Sequence, residues 1–391
     1  MGKHGRVELA DILKQYGPAY LGRHTLCATQ AKAWRAIVAC RTAALGGHVQ
    51  QCNACHTVRY TYHSCRNRHC PTCQTRTKEQ WVAARHRELL PVPYTHLVFT
   101  LPHAINPLVS HHFRCVTDIL FNAAANTLSA FGADPKWLGG QLAFSLVLHT
   151  WSQNLMRHLH VHALVASGAL TADEQWVSSK KGFLFPVKAL SKVFRQKFID
   201  AMKQARQEGR LHHEQTDSEG NWRQLLVALR QHDWVVYAKQ PLGGPAQVLE
   251  YLSRYTHRVA ISNERIVGMD YGQVAFRVRD NAHAGKKRIE RLPAEAFIGR
   301  FLLHALPTGF KRIRHYGLLA PCHKQEKLAA CRQALAMPVP DNAVTESVRA
   351  FMQRVAAIDI GKCPCCEAGR MQVVGVIVPR RERCQSTGPP P

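Results

Sequence analysis

The sequence predicts an α+β protein in which a cysteine-rich unit near the start leads into a central antiparallel sheet flanked by helices. Three observations predict it. Two Cys-x2-Cys knuckles fall within the first 73 residues, two adjoining segments (QLAFSLVLHTW and HLHVHALVA) read as paired strands, and amphipathic stretches of helical period precede and follow that pair.

Taken in order, the opening to Arg41 predicts helices, because Leu9, Ile12 and Leu13, then Ala31, Trp34, Ile37 and Val38, recur at helical spacing. After the cysteines, Gln80 to Leu90 reads as a basic amphipathic helix, stopped by Pro91 and Pro93, which lack backbone donors. THLVFTL is then a strand, and Asn106 to Phe131 a helix with Leu108, Val116, Ile119, Leu120, Ala123 and Leu128 on its apolar side. The two strand candidates follow, joined by Ser152 to Arg157. Phe194 to Glu208 predicts a charged helix, DSEGN (217–221) a polar turn, and WVVYAKQ a strand. Gly243-Gly244-Pro245 breaks the chain before a helix from Ala246 to His257. RVAIS, ERIVGM and QVAFRVR are strand-like, Pro293 to His304 is helical, and the polar stretch from Arg380 to Pro391 has the composition of a disordered tail.

The charge balance selects a partner. Lys and Arg number 52 against 26 Asp and Glu, a formal net charge of +26 spread along the chain rather than gathered in one tail. Such an excess goes beyond the needs of solubility and fits a long polyanion, DNA above all. No window approaches the roughly 20 apolar residues of a membrane span, and no apolar run follows the opening charges, so a soluble, unsecreted, cytoplasmic protein is expected, with no membrane partner. In that reducing compartment, clustered cysteines point to metal rather than to disulfides.

Cys52-x2-Cys55 and Cys70-x2-Cys73 have the spacing of two knuckles closing on one tetrahedral, structural Zn²⁺. Interleaved Cys40, His48, Cys65 and His69 would supply a second site, and the neighbouring Arg66 and Arg68 suit contact with phosphate. Cys363, Cys365 and Cys366 form half of another zinc ribbon, whose second half is missing unless Cys322 or Cys384 contributes.

Strand side chains alternate, so His158, His160 and His162 project from one face while Leu159, Val161 and Ala163 pack on the other. Two imidazoles and one further ligand hold a divalent ion with open positions for a phosphate. His149 on the partner strand, Gln153 in the connection and His158 are the candidates for that further ligand.

Tyr251 and Tyr255 stand four apart, on one face of the expected helix. A phenol oxygen can attack a phosphodiester, and the phosphotyrosine conserves the bond's energy for rejoining without a nucleotide cofactor. Arg254, His257 and Arg258 beside them can lower a phenol pKa or neutralise phosphate.

Six stretches together carry a resemblance: ACRTAALGGHVQQCNAC with SCRNRHCPTC, HLVFTLPH, HLHVHALV, EYLSRYTHRVAISNERI and RIRHYGLLA. The sequence resembles transposases of the insertion-sequence-91 type, rolling-circle two-tyrosine enzymes of the HUH endonuclease superfamily. The resemblance spans nearly the whole chain. It implies a zinc domain followed by an HUH-type catalytic domain, with His160 and His162 as the metal pair, Gln153 as accessory ligand and Tyr251 and Tyr255 as nucleophiles. By it we expect a helical segment at 1–38, a zinc-binding, DNA-contacting domain at 39–90, the catalytic domain at 91–318 and a C-terminal extension at 319–391. The expected activity is nicking of single-stranded element ends and joining to target DNA through a 5′-phosphotyrosine, with Mg²⁺ or Mn²⁺ at the catalytic centre. A plasmid replication initiator or relaxase would make the same cut, and a non-catalytic zinc regulator would share only the DNA binding.

Overall fold

The computed structural model describes residues 6–73, 81–82, 84–85, 87–180, 183–212, 218–242, 247, 260–280, 286–337, 346–366 and 368–380. Helix α1 (Leu9–Leu21) starts with a reciprocal cap in which the Asp11 carboxylate accepts from the Glu8 amide at 2.9 Å. It buries Leu9, Ile12 and Leu13, the apolar positions seen in the sequence, and α2 (Ala28–Ala39) buries Ala33, Trp34 and Ile37. A hairpin follows, β1 (Gly47–Cys52) and β2 (Val58–Tyr62).

The next run of elements forms the body. It comprises β3 (Tyr94–Thr100), α3 (Asn106–His111), α4 (Phe113–Ala133), β4 (Gln141–Trp151), β5 (Arg157–Leu170), β6 (Trp176–Ser178), α5 (Val187–Gln207), α6 (Glu219–Gln231) and β7 (Val236–Leu242). Three features revise the sequence expectation. The single helix expected from Asn106 to Phe131 is two, α3 and α4, parted at His112. Helix α5 begins seven residues before Phe194, directly after Pro186, because Leu190 and Ser191 continue the buried stripe. Residues 218–221 of the expected turn start a helix instead: the Ser218 hydroxyl accepts from the Asn221 amide at 3.2 Å and so caps α6, while Asp217 lies outside the described residues.

Farther along come β8 (Ile266–Asp270), β9 (Gln273–Asp280), β10 (Lys286–Pro293), α7 (Ala294–Leu302), β11 (Ile313–Gly317), α8 (Lys324–Ala334), α9 (Val348–Ala356) and β12 (Met371–Ile377). β11 must end on glycine. Gly317 has φ +59°, and a Cβ there would meet the Leu142 carbonyl oxygen at 1.9 Å.

Strands run β11-β4-β5-β3-β7 in the central antiparallel sheet, with β6 appended to β5. One face carries Phe99, Leu146, Leu148, Val161 and Ala163, which pack with Val116 and Leu120 of α4 and Phe194 and Phe198 of α5. Each such side chain removed from water contributes about 1.5–3 kcal/mol, so this layer fixes the sheet. At one end of the opposite face Leu164 and Ala166 meet Leu318 and Leu328. Its other end carries the histidines.

A second core joins α1, α2, α7 and the β8-β9-β10 sheet, and it takes in Trp151 and Leu155 from the tip of the β4–β5 hairpin. The third sheet has the order β12-β1-β2, so the expected boundary between an N-terminal zinc unit and a C-terminal extension is bridged by strand pairing. No described helix is long and apolar enough to cross a membrane.

Candidate functional site

Register assembles the histidine centre. β4 lies antiparallel to β5 with His149 opposite His160, and β3 places Thr100 opposite His160 and Val98 opposite His162. The rings of His149, His160 and His162 have centroids 4.3 to 5.3 Å apart, and one nitrogen from each lies within 4.8 Å of the others. Trp151 stacks on His149 at 4.7 Å and closes that side.

Hydrogen bonds fix which nitrogens face the centre. His160 Nδ1 lies 3.0 Å from the His158 carbonyl, which can only accept, so the proton sits on Nδ1 and Nε2 keeps its lone pair. Burial, then the neighbouring His158, pushes His160 down to about 3, so the ring is neutral at physiological pH. His96 on β3 sets Nε2 2.9 Å from His162 Nδ1, and burial, then Lys239, pushes His96 down to about 4. His160, neutral and of fixed tautomer, is ligand-ready, and the set of three imidazoles fits a divalent metal ion.

The turn that carries this hairpin is clamped at three successive carbonyls. Arg265 donates to Gln153, Arg300 to Asn154 at 3.1 Å, and His304 Nε2 to Leu155 at 3.0 Å. His304 also receives the Thr150 hydroxyl at 3.1 Å, and burial pushes it down to about 4.

The structure does not bring two of the expected ligands into the group of three. Gln153 sits in the turn, beyond the Trp151 to Arg157 pairing, whereas the position directly across from His160 belongs to His149. His158 shares the face, but its ring packs on His103 at 5.3 Å and the group of three excludes it. Strand register, which local spacing does not display, is what sets His149 across from His160.

The cysteine grouping is corrected too. Cys40, Cys65, Cys70 and Cys73 form one cluster and Cys52 and Cys55 belong to another, with Cys363 and Cys366. In the first, Cys73 Sγ lies 3.3 Å from Cys40 Sγ and 3.6 Å from Cys65 Sγ, and the Asn67 amide points at Cys65 Sγ at 3.5 Å. Hydrogen bonds from Cys40, Cys65 and Cys70 hold Cys73 far below the usual thiol range. Pairing neighbours along the chain failed because β1 and β2 carry the first knuckle away from the second.

Neither histidine proposed for a second zinc joins these thiols. His48 meets His63 edge-on at 5.0 Å. His69 accepts the Leu306 amide through Nε2 at 2.9 Å, which leaves its Nδ1 proton for Asn67 Oδ1 at 3.0 Å, and so ties the cysteine unit to the segment after α7.

Arg66 and Arg68 line a cleft of about 270 Å³ together with Lys32, Asn67 and Thr308, a basic concavity beside the first cluster. Arg68 also donates to the Phe310 carbonyl at 2.7 Å. Tyr251, Tyr255, Arg254 and Arg258 lie outside the described residues.

Residues 12–101 match the family model "Transposase zinc-binding domain" and residues 143–327 match the model "Putative transposase". The chain is 42% identical to "Putative transposase y4qJ" of Sinorhizobium fredii over 97% of its own length and 98% of that protein's. It is 28% identical to "Transposase for insertion sequence element IS801" of Pseudomonas savastanoi pv. phaseolicola, over 85% of this chain and 80% of that one. Among solved structures, "Conjugative Relaxase TrwC in complex with mutant OriT Dna" overlays 63% of this chain on 75% of its own at 15% identity and a TM-score of 0.23, too loose a superposition to argue from.

Proposed function

The chain belongs to the insertion-sequence-91 type of transposases, and from that premise we propose that it cuts single-stranded DNA at the ends of a mobile element and joins them to target DNA by a rolling-circle, phosphotyrosine route. As a transposase it acts on DNA, and its zinc-binding domain supplies a structural part. The observation that carries the finer reading is the convergence of His149, His160 and His162 on one end of a sheet face.

A divalent ion held by those three imidazoles would polarise the scissile phosphate and take up charge on its non-bridging oxygens. Three nitrogen donors without a carboxylate suit Mn²⁺ better than Mg²⁺, which prefers oxygen ligands. The protein's own part is orientation: Trp151 excludes water beside His149, while the clamped turn holds β4 and β5 in register.

In this reading the phenol oxygen of Tyr251 or Tyr255 bonds to phosphorus as the bond to the 3′ oxygen breaks. The phenol gives up its proton, the departing 3′ oxygen gains one, and the 5′ end stays on the tyrosine. A 3′-hydroxyl of the target later reverses the step. The segment carrying both phenols is bounded by described residues that support the assignment. Before it, β7 pairs with β3, and after it Ala260 lines a small cavity with Trp151 and His304. Residues 91–318 would cut while the cysteine units and the basic cleft hold flanking DNA, as phosphate contacts position a strand without reading it.

The test is a labelled single-stranded element end incubated with the protein and Mn²⁺. A covalent adduct is expected, lost in the Tyr251→Phe, Tyr255→Phe double variant and in His160→Ala with His162→Ala. An adduct that survives loss of both phenols would overturn the proposal. Transfer of the label to a second DNA separates transposition from nicking alone.

A further inference from the structure

The matched zinc-binding segment ends at residue 101, but half of the second cysteine cluster lies more than 250 residues beyond it. We propose that Cys52, Cys55, Cys363 and Cys366 hold a second structural Zn²⁺ that clasps the two ends of the chain into one unit.

Distances are those of a closed tetrathiolate. Cys52 Sγ lies 3.7 Å from Cys366 Sγ, and Cys55 Sγ 3.6 Å from Cys363 Sγ. Four sulfurs at the usual Zn–S length of about 2.3 Å stand about 3.8 Å apart in a tetrahedron, whereas a disulfide needs about 2.05 Å.

The surroundings are built for thiolates. The amides of Ala54, Cys365 and Gly369 point at the sulfurs of Cys52, Cys363 and Cys366, each at 3.4 Å, so three backbone dipoles offset the negative charge that four deprotonated ligands bring. Gly369 gives the knuckle room to close: a Cβ there would lie 2.3 Å from Cys52 Sγ. The strands reinforce this geometry, since β12 pairs with β1 from Cys52 opposite Met371 to Gly47 opposite Ile377. Asn53 and Arg370 exchange two further bonds, the Asn53 amide to the Arg370 carbonyl at 3.1 Å and the Arg370 amide to Asn53 Oδ1 at 2.8 Å.

Burial cannot hold this sheet. Tyr60 is 60% exposed and Val376 71%, and Val58, Val373 and Val374 lie open as well. A three-stranded sheet with so little apolar area removed from water needs another source of stability, and metal binding supplies it in small units of this kind.

The experiment counts zinc by native mass spectrometry of the full chain under reducing conditions. It is done in a His160→Ala, His162→Ala background so that the imidazole centre adds no ion. Two zinc ions per chain are expected, falling to one in Cys363→Ser with Cys366→Ser and staying at two in Cys365→Ser, whose exposed thiol is outside the cluster. A single ion in the parent, or two in the double serine variant, would overturn the proposal. Should that variant fail to fold, alkylation of the unmutated protein decides. Cys365 should react while Cys363 and Cys366 are spared until zinc is removed, and equal labelling of all three from the start counts against the site.

Discussion

His96 Nε2 stands 2.9 Å from His162 Nδ1, across the β3–β5 pairing. If His162 offers Nε2 to a metal ion, its Nδ1 carries the proton and His96 accepts it, so one neutral ring sets the tautomer and tilt of another. Partners of this kind are worth 10- to 100-fold in metal affinity. His96→Ala should therefore raise the Mn²⁺ concentration at half-maximal cleavage by roughly 10- to 100-fold with little change in saturating rate. His96→Asn, whose amide oxygen can accept the same proton, should recover part of the loss. An unshifted metal titration in His96→Ala would rule this positioning role out.

His149 and Gln153 make opposing predictions. Truncating a ligand removes one of three donors, so His149→Ala should abolish adduct formation at low Mn²⁺. Gln153 engages Arg265 through its backbone carbonyl, a contact that survives side-chain truncation, and Gln153→Ala should stay within about twofold of the parent, the range of a surface change of ±0.5 kcal/mol. Comparable loss in both variants would restore Gln153 as a ligand.

Donor chemistry also orders the metals. Imidazole nitrogens bind first-row transition ions more tightly than they bind Mg²⁺, which gives up water reluctantly and favours oxygen. At equal micromolar concentrations Mn²⁺ or Co²⁺ should support cleavage while Mg²⁺ does not, with Mg²⁺ effective only in large excess. Preference for Mg²⁺ at low concentration would mean that a carboxylate or further oxygen ligand completes the centre.

Much of the centre was legible because a period of two carries its own geometry: alternating histidines on one strand must share a face. The helices flanking the sheet were equally readable, since Val116, Ile119 and Leu120, or Phe194 and Phe198, sit at spacings that only one helix face accommodates. What the sequence concealed was pairing between distant segments. His149 comes to lie across from His160 through strand register, and the CPCC segment finds its partner across more than 300 residues because β12 adds to β1. Local spacing favours the nearest knuckle, and strand addition overrides it.

His304 links site geometry to acid stability. It is buried with Nε2 on the Leu155 carbonyl and Nδ1 on the Thr150 hydroxyl, and burial lowers it from 6.5 to about 4. A group whose folded pKa is depressed contributes stability that is fully present above its unfolded value and lost as pH falls toward the folded one. His315 behaves alike: burial, then Arg85, lowers it to about 4, with its Nδ1 2.7 Å from Ser145 Oγ. The urea midpoint should thus fall between about pH 6.5 and pH 4, as the unfolded chain takes up protons that the folded one refuses. His304→Gln with His315→Gln should start lower at pH 7, by about 1–3 kcal/mol for each disturbed buried hydrogen bond, yet lose less on acidification because an amide does not titrate. If parent and variant midpoints decline in parallel from pH 7 to pH 5, protonation of these two rings is not what destabilises the fold in acid.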